Sequence, residues 1–242
     1  MEYQSINNIL VAIASGIIPA LVWLWFWLKE DDKRPEPKGL LFLAFLGGMI
    51  AVPLVLPIQE FLSSISIDDK TFVGLAAASE EILKFLMFII IILPSGKADE
   101  PIDFPIYFIT IALGFSALEN SMFLFDPITT QDTTVSLLTG GLRFLGASIL
   151  HTISSAAIGI GMGLGFRYLK IVRAFYSIVG IMVAILLHGT FNFLIINDTG
   201  EQFWRLYGVL WVLAIVSMLF FERLRRISDA IYYKENIQPT IN

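Results

Sequence analysis

Seven long apolar segments, at 9–28, 40–62, 72–94, 105–126, 140–166, 173–196 and 202–221, take up most of this chain. Stretches approaching or exceeding 18 apolar residues predict membrane-spanning helices, because in lipid a helix satisfies its own backbone polar groups. The chain is 56% hydrophobic, and a soluble domain of 242 residues would need far more polar surface. The expected fold class is therefore all-α: a polytopic membrane helix bundle of about seven transmembrane helices, with eight as the alternative count. It reads as a single transmembrane domain over 1–242, with a catalytic core in 72–196 and a short charged C-terminal tail, 222–242, that frays toward its end.

Composition excludes several kinds of chemistry. There are no cysteines, so disulfides, thiolate metal sites and cysteine nucleophiles are out of reach. The net charge of −5, with basic residues scattered among the loops, gives no nucleic-acid surface. The first segment is too long for a signal-peptide core and lacks a basic flank, so it is expected to be a retained helix. Trp23, Trp25, Phe26 and Trp27 at its end read as an interfacial aromatic belt.

Basic residues also predict an orientation. Loops after segments one, three and five, together with the tail, hold twelve Lys and Arg, whereas the opposite side holds Lys70 and Arg205. The bias places the N-terminus outside and the C-terminus in the cytoplasm, which requires an odd number of spans. The Thr-rich stretch 127–139 becomes an external loop.

Four segments carry polar groups that lipid disfavours: Glu80, Glu81 and Lys84 in the third, Glu119 and Asn120 in the fourth, His151 in the fifth, and His188 and Asn192 in the sixth. A charge at a helix centre costs about 2.5–3.5 kcal/mol, so such residues mark function. Both histidines of the chain lie in mid-segment. Counted at about 1.5 Å per residue from the outer end of each span, the glutamates and histidines fall roughly 10–16 Å deep. Four helices of alternating direction thus bring their polar groups to one level. Pairs four apart share a helix face: Glu80/Lys84, Phe115/Glu119, His151/Ser155 and His188/Asn192.

This set suits water activation. A carboxylate in a low-dielectric pocket can take a proton from water, a nearby lysine can keep its neighbour ionised, and imidazole and amide groups can donate to an oxyanion. No serine triad is assembled, because Ser155 has no aspartate at its depth. Glu119, His151 and His188 offer a zinc site as the rival mechanism, with Glu80 as the base, although no HExxH pattern supports it. Arg143 reads as a snorkelling anchor or a carboxylate contact.

Glu80-Glu81-x-x-Lys84, Phe115-x-x-x-Glu119, His151 and His188-x-x-x-Asn192 resemble the ordered motifs of the PrsW family of intramembrane proteases. That family shares a superfamily with the CAAX prenyl proteases and bacteriocin-immunity-type membrane proteins. The resemblance covers segments three to six. It implies an intramembrane endopeptidase that cleaves a membrane-anchored protein, such as an anti-sigma factor, with a motif-one glutamate activating water and no cofactor. The implied catalytic residues are Glu80, Glu81, Lys84, Glu119, His151, His188 and Asn192. The partners expected are the protein substrate and the lipid bilayer. Two other classes stand beside it: a non-catalytic membrane scaffold or peptide-binding protein of the same superfamily, and a transporter, for which inverted repeats or broken helices would be expected.

Overall fold

The structure, a computed structural model, describes residues 2–29, 34–66, 68–129, 142–196 and 203–236. The described residues form seven helices and no strand: α1 (Glu2–Leu28), α2 (Lys38–Ile65), α3 (Asp69–Met87), α4 (Asp103–Thr129), α5 (Ser148–Gly165), α6 (Lys170–Ile196) and α7 (Phe203–Asn236). Six are long and apolar enough to cross a membrane; α3 falls short because Asp69, Lys70, Glu80, Glu81 and Lys84 all lie on it. The chain is a multi-pass membrane helix bundle. Most of the Thr-rich loop, residues 130–139, lies outside the described residues.

Local chemistry sets the ends of α3. Asp68 caps it by accepting from the Thr71 N–H at 2.8 Å. After Met87 the rod continues through a π turn, Phe88–Ile92, and a short 3-10 turn, Leu93–Ser95. It stops at Gly96, whose φ of +65° is the left-handed stop that glycine supplies without strain.

Helix α4 is the central column, buried without interruption from Asp103 to Ala117 and packed against α1, α2 and α5. Its approach to α2 depends on two facing glycines. A Cβ on Gly48 would strike the Ile111 carbonyl, and one on Gly114 would strike the Phe45 carbonyl. With its small residues, α5 fits between α4 and α6 and is buried along nearly its whole length.

The helix continues past the apolar stretch expected at 202–221: α7 runs on to Asn236, with Phe221, Leu224 and Ser228 buried against the bundle, and residues 237–242 lie outside the described residues. Ser228 even receives the Ile102 N–H at 3.3 Å. The aromatic belt is divided. Trp25 faces outward, whereas Trp27 is buried 5.5 Å from the Phe221 ring and Trp23 lies 6.2 Å from Trp211, forming a seam between α1 and α7.

The linker into α2 is fastened at the base of α4. Tyr107 donates to Glu36, Arg34 pairs with Glu100, and Asp103 accepts from the Asp99 and Glu100 N–H groups at 2.9 and 2.6 Å. This polar knot sits at the opposite end of the bundle from the motif residues.

Candidate active site

The motif residues on α3, α4, α5 and α6 converge in one buried chain of contacts. Glu81, fully buried, is its hub. Its Oε1 receives Lys84 Nζ at 2.7 Å and faces His188 Nδ1 at 2.8 Å, while its Oε2 receives Ser155 Oγ at 2.7 Å. Lys84 Nζ also lies 2.9 Å from His151 Nδ1, and His151 Nε2 lies 2.9 Å from Glu119 Oε2. An ammonium has no lone pair, so His151 accepts at Nδ1 and donates from Nε2.

Phe115, one turn before Glu119, gives that motif its physical sense. Its ring lies 4.4 Å from Lys84 Nζ and 5.3 Å from the His151 ring, which shields the ammonium with an aromatic face. The two imidazoles meet edge to face at 4.8 Å.

Glu80 differs from its neighbour. Its Oε1 receives the Gln59 amide at 2.9 Å, and its Oε2 is buried with no hydrogen-bond partner, 3.6 Å from His188 Nε2. A cavity of about 450 Å³ opens beside it, lined by Glu80, Glu119 and Asn192 and by apolar side chains including Val55, Phe72, Phe115 and Met122. Asn192, expected as an oxyanion donor, therefore stands on the wall of the same cavity as Glu80.

Two residues contribute more than sequence reasoning gave them. Arg143, at the start of a π turn (Arg143–Ala147) leading into α5, pairs with Glu119 Oε2 and Asn120 Oδ1, both at 2.6 Å. It is a carboxylate partner rather than a snorkelling anchor, and its guanidinium also covers the Phe123 ring at 3.9 Å. Gln59 was missed. It is a single amide on an otherwise apolar helix face, with no motif around it. Its signal was the i, i+3, i+7 line that it forms with Val52 and Val55 on the side of α2 that lines the cavity.

The donor set bears on metal binding. Glu80, His151 and His188 each place one ligand atom so that all lie within 4.8 Å of one another. Two imidazoles and a carboxylate are a common zinc donor set. Glu80 Oε2 is unpartnered, and His188 is tied through Nδ1 to Glu81, an arrangement that orients an imidazole and leaves its other nitrogen for a metal. Three carboxylates, Glu80, Glu81 and Glu119, face two basic side chains, Lys84 and Arg143, so a further positive charge suits the cluster. Glu80 Oε2 and His188 Nε2 are open to a divalent ion, and His151 would complete the set by exchanging the Lys84 contact at Nδ1 for the ion, so with that one exchange the residues fit.

A helix bundle that gathers glutamates and histidines beside a cavity has the groups a membrane-embedded hydrolase needs. The family described as "PrsW family intramembrane metalloprotease" matches residues 36–220, and the chain belongs to that family. It is similar to the Protease PrsW of Geobacillus kaustophilus (strain HTA426), 25% identical over 228 residues covering 91% of this chain and 92% of the relative. It is likewise similar to the Protease PrsW of Oceanobacillus iheyensis, 28% identical over 191 residues, covering 76% and 82% of the two chains. That of Bacillus subtilis (strain 168) is 24% identical over 186 residues, with the same coverage of 76% and 82%. No solved structure matches the chain.

The protein is thus an intramembrane protease of a multi-pass type. The expectation of no cofactor is corrected: the family is a metalloprotease family, and a Glu–His–His group suited to a metal is present. The rival zinc trio also changes membership. Glu80 replaces Glu119, because it is a Glu80 oxygen that lies within 4.8 Å of the ligand nitrogens of both histidines.

Proposed function

We propose that this protease hydrolyses a peptide bond of a membrane-anchored protein, an anti-sigma factor being the kind of substrate the resemblance implies, with Glu80 as the carboxylate that takes a proton from the attacking water. One observation carries this reading: Glu80 Oε2 is buried, unpartnered, and belongs to a residue lining the cavity. Both Glu81 oxygens are occupied by Lys84, Ser155 and His188, so Glu81 is the less available base.

Glu80, His151 and His188 are the residues that would hold a divalent ion, which when bound supplies Lewis-acid polarisation of a carbonyl and a more acidic water. A carboxylate offers about four lone-pair positions, so the Gln59 hydrogen bond on Oε1 leaves Glu80 capacity for both ligation and proton transfer. Glu81, clamped by Lys84 and Ser155, fixes the His188 ring. Arg143 and Glu119 fix His151 from the other side. Asn192 on the cavity wall is placed to donate to the oxyanion. Apolar walls favour an apolar stretch of substrate and keep bulk water from competing.

The catalytic core is assigned to 72–196 within the single transmembrane domain. The N-terminus is assigned outside and the C-terminus to the cytoplasm, on the twelve-to-two bias of basic residues. Reporters fused after Lys97 and after Tyr168 should read cytoplasmic, and the reverse pattern would move the site to the inner leaflet.

The decisive experiment compares membrane proteomes of cells carrying wild type and Glu80→Gln, with zinc content measured on both purified proteins. Turnover should fall by about 10²–10⁴-fold, the scale of a positioned general base. Loss of zinc along with activity would make Glu80 chiefly a ligand. Intact processing in a Glu80→Gln, Glu81→Gln double variant would leave a non-catalytic peptide-binding protein.

A further inference from the structure

Within α2, Val52, Val55, Leu56 and Gln59 line the cavity, while Pro57, Ile58 and Glu60 around them are exposed. An amide turned inward must find a partner, because an unpaired polar group away from water is costly. Gln59 meets that need across the helix interface. Its Nε2–H donates to Glu80 Oε1 at 2.9 Å.

Compared with the other two carboxylates, that single bond is informative. Glu81 is held by Lys84, Ser155 and His188, and Glu119 by Arg143 and His151, so both are fixed by charges or by several donors. Glu80 is held through one oxygen by one neutral amide, and its second oxygen is left open 3.6 Å from His188 Nε2. A cation in the place of Gln59 would compete with a metal for the carboxylate. An apolar side chain there would let the carboxylate turn away. A neutral donor does neither.

We infer that Gln59 is a positioning residue of the active site: its amide anchors Glu80 through Oε1 so that Oε2 stays presented to His188, to the metal and to the water. The inference rests on the reading of Glu80 given above. It extends the site to α2, whose inner face is also a cavity wall, so that Glu80 is oriented by the helix that substrate would touch.

The test uses the full-length protein in detergent, with zinc affinity measured by competition against a chelator and turnover measured in parallel. Gln59→Met, which keeps the length but loses the donor, and Gln59→Ala should each weaken zinc binding by about 10–100-fold, the usual cost of removing a partner that orients a ligand. Ile58→Ala, on the same helix but outside the cavity lining, should leave zinc binding and turnover unchanged. In a Glu80→Gln background, adding Gln59→Met should change zinc affinity less than about twofold, because residues that act through one another are not additive. Wild-type zinc affinity in the Gln59 variants, with Glu80→Gln having lost it, would overturn the inference and leave the Glu80 reading intact. Additive losses in the double variant would overturn it too, as would failure of both Gln59 variants to fold. Full zinc affinity and turnover in Glu80→Gln alone would remove the reading on which it rests.

Discussion

His188 Nδ1 and Glu81 Oε1 stand 2.8 Å apart, and the same oxygen receives Lys84 Nζ at 2.7 Å. The pair joins α3 to α6 through a carboxylate with no exposed surface. From sequence alone Lys84 can pair as well with Glu80, four residues before it, as with Glu81, three before it. The geometry makes Glu81 the charge on which the ammonium and two other donors depend.

Glu81→Gln should therefore act on stability before it acts on rate. Removing one partner of a buried ion pair costs about 3–5 kcal/mol, because the other charge is left uncompensated. Thermal unfolding in detergent should show a large drop for Glu81→Gln and a small one for Glu80→Gln. Equal, small drops would mean that Lys84 finds another partner.

Arg143→Gln should lower turnover by about 10–100-fold, since it loosens Glu119 and through it His151. The effect should be absent once Glu119 has been changed to Gln. A double-mutant cycle on turnover checks this, and independent losses would separate Arg143 from His151.

Removing the metal should abolish cleavage, and zinc should restore it. It should also lower the melting temperature, since an ion bound at 100 times its dissociation constant stabilises by about 2.7 kcal/mol. Both His151→Ala and His188→Ala should remove the zinc-dependent part of that melting shift. A shift that survived both would place the ion elsewhere.

At the far end of the bundle, burial pushes the Glu36 carboxyl above its ordinary range, with Asp99 adding to the rise. Hydrogen bonds with Asp103 and Tyr107 and the charge of Lys97 work against the rise without cancelling it. A raised carboxyl favours the folded state while it is protonated. That stability is fully present below the normal glutamate value of about 4.3 and is lost as pH rises through the higher folded value. Melting temperature should therefore fall as pH rises above that normal value, and Glu36→Gln should flatten that slope. An unchanged slope would assign it to other groups.

Helix positions were legible because hydrophobic runs and charged breaks are local features: α2, predicted at 40–62, spans Lys38–Ile65, and α6, predicted at 173–196, spans Lys170–Ile196. The convergence of Glu81, Lys84, His151 and His188 was legible as well, because a polar group in lipid has few reasons to be there and all lay at one depth. What depth and spacing leave open is which atoms meet. Glu119 and Glu80 lie on different helices at similar levels, and only packing decides that Arg143 reaches the first and leaves the second free. Gln59 escaped for a simpler reason. Counted from residue 62 it lies only about 5 Å deep, and the added turn to Ile65 brings it to about 9 Å, level with the site. The end of α7 was placed too early because hydropathy falls at Glu222, whereas the helix is held there by buried Leu224 and Ser228.

The helix that carries Glu80, Glu81 and Lys84 is also the one that is not apolar enough to span by itself. Three charges at helix-centre depth add on the order of 10 kcal/mol to its transfer into lipid. The groups that offset this cost, Ser155 and His151 on α5 and His188 on α6, are synthesised after it. A nascent chain stopped after α4 should therefore hold α3 poorly, as a glycosylation-mapping series of truncations would show, and one extended through α6 should hold it firmly. Installation of the active site and insertion of its helix become a single event, so the unfinished chain is inert in its own membrane until its later helices arrive.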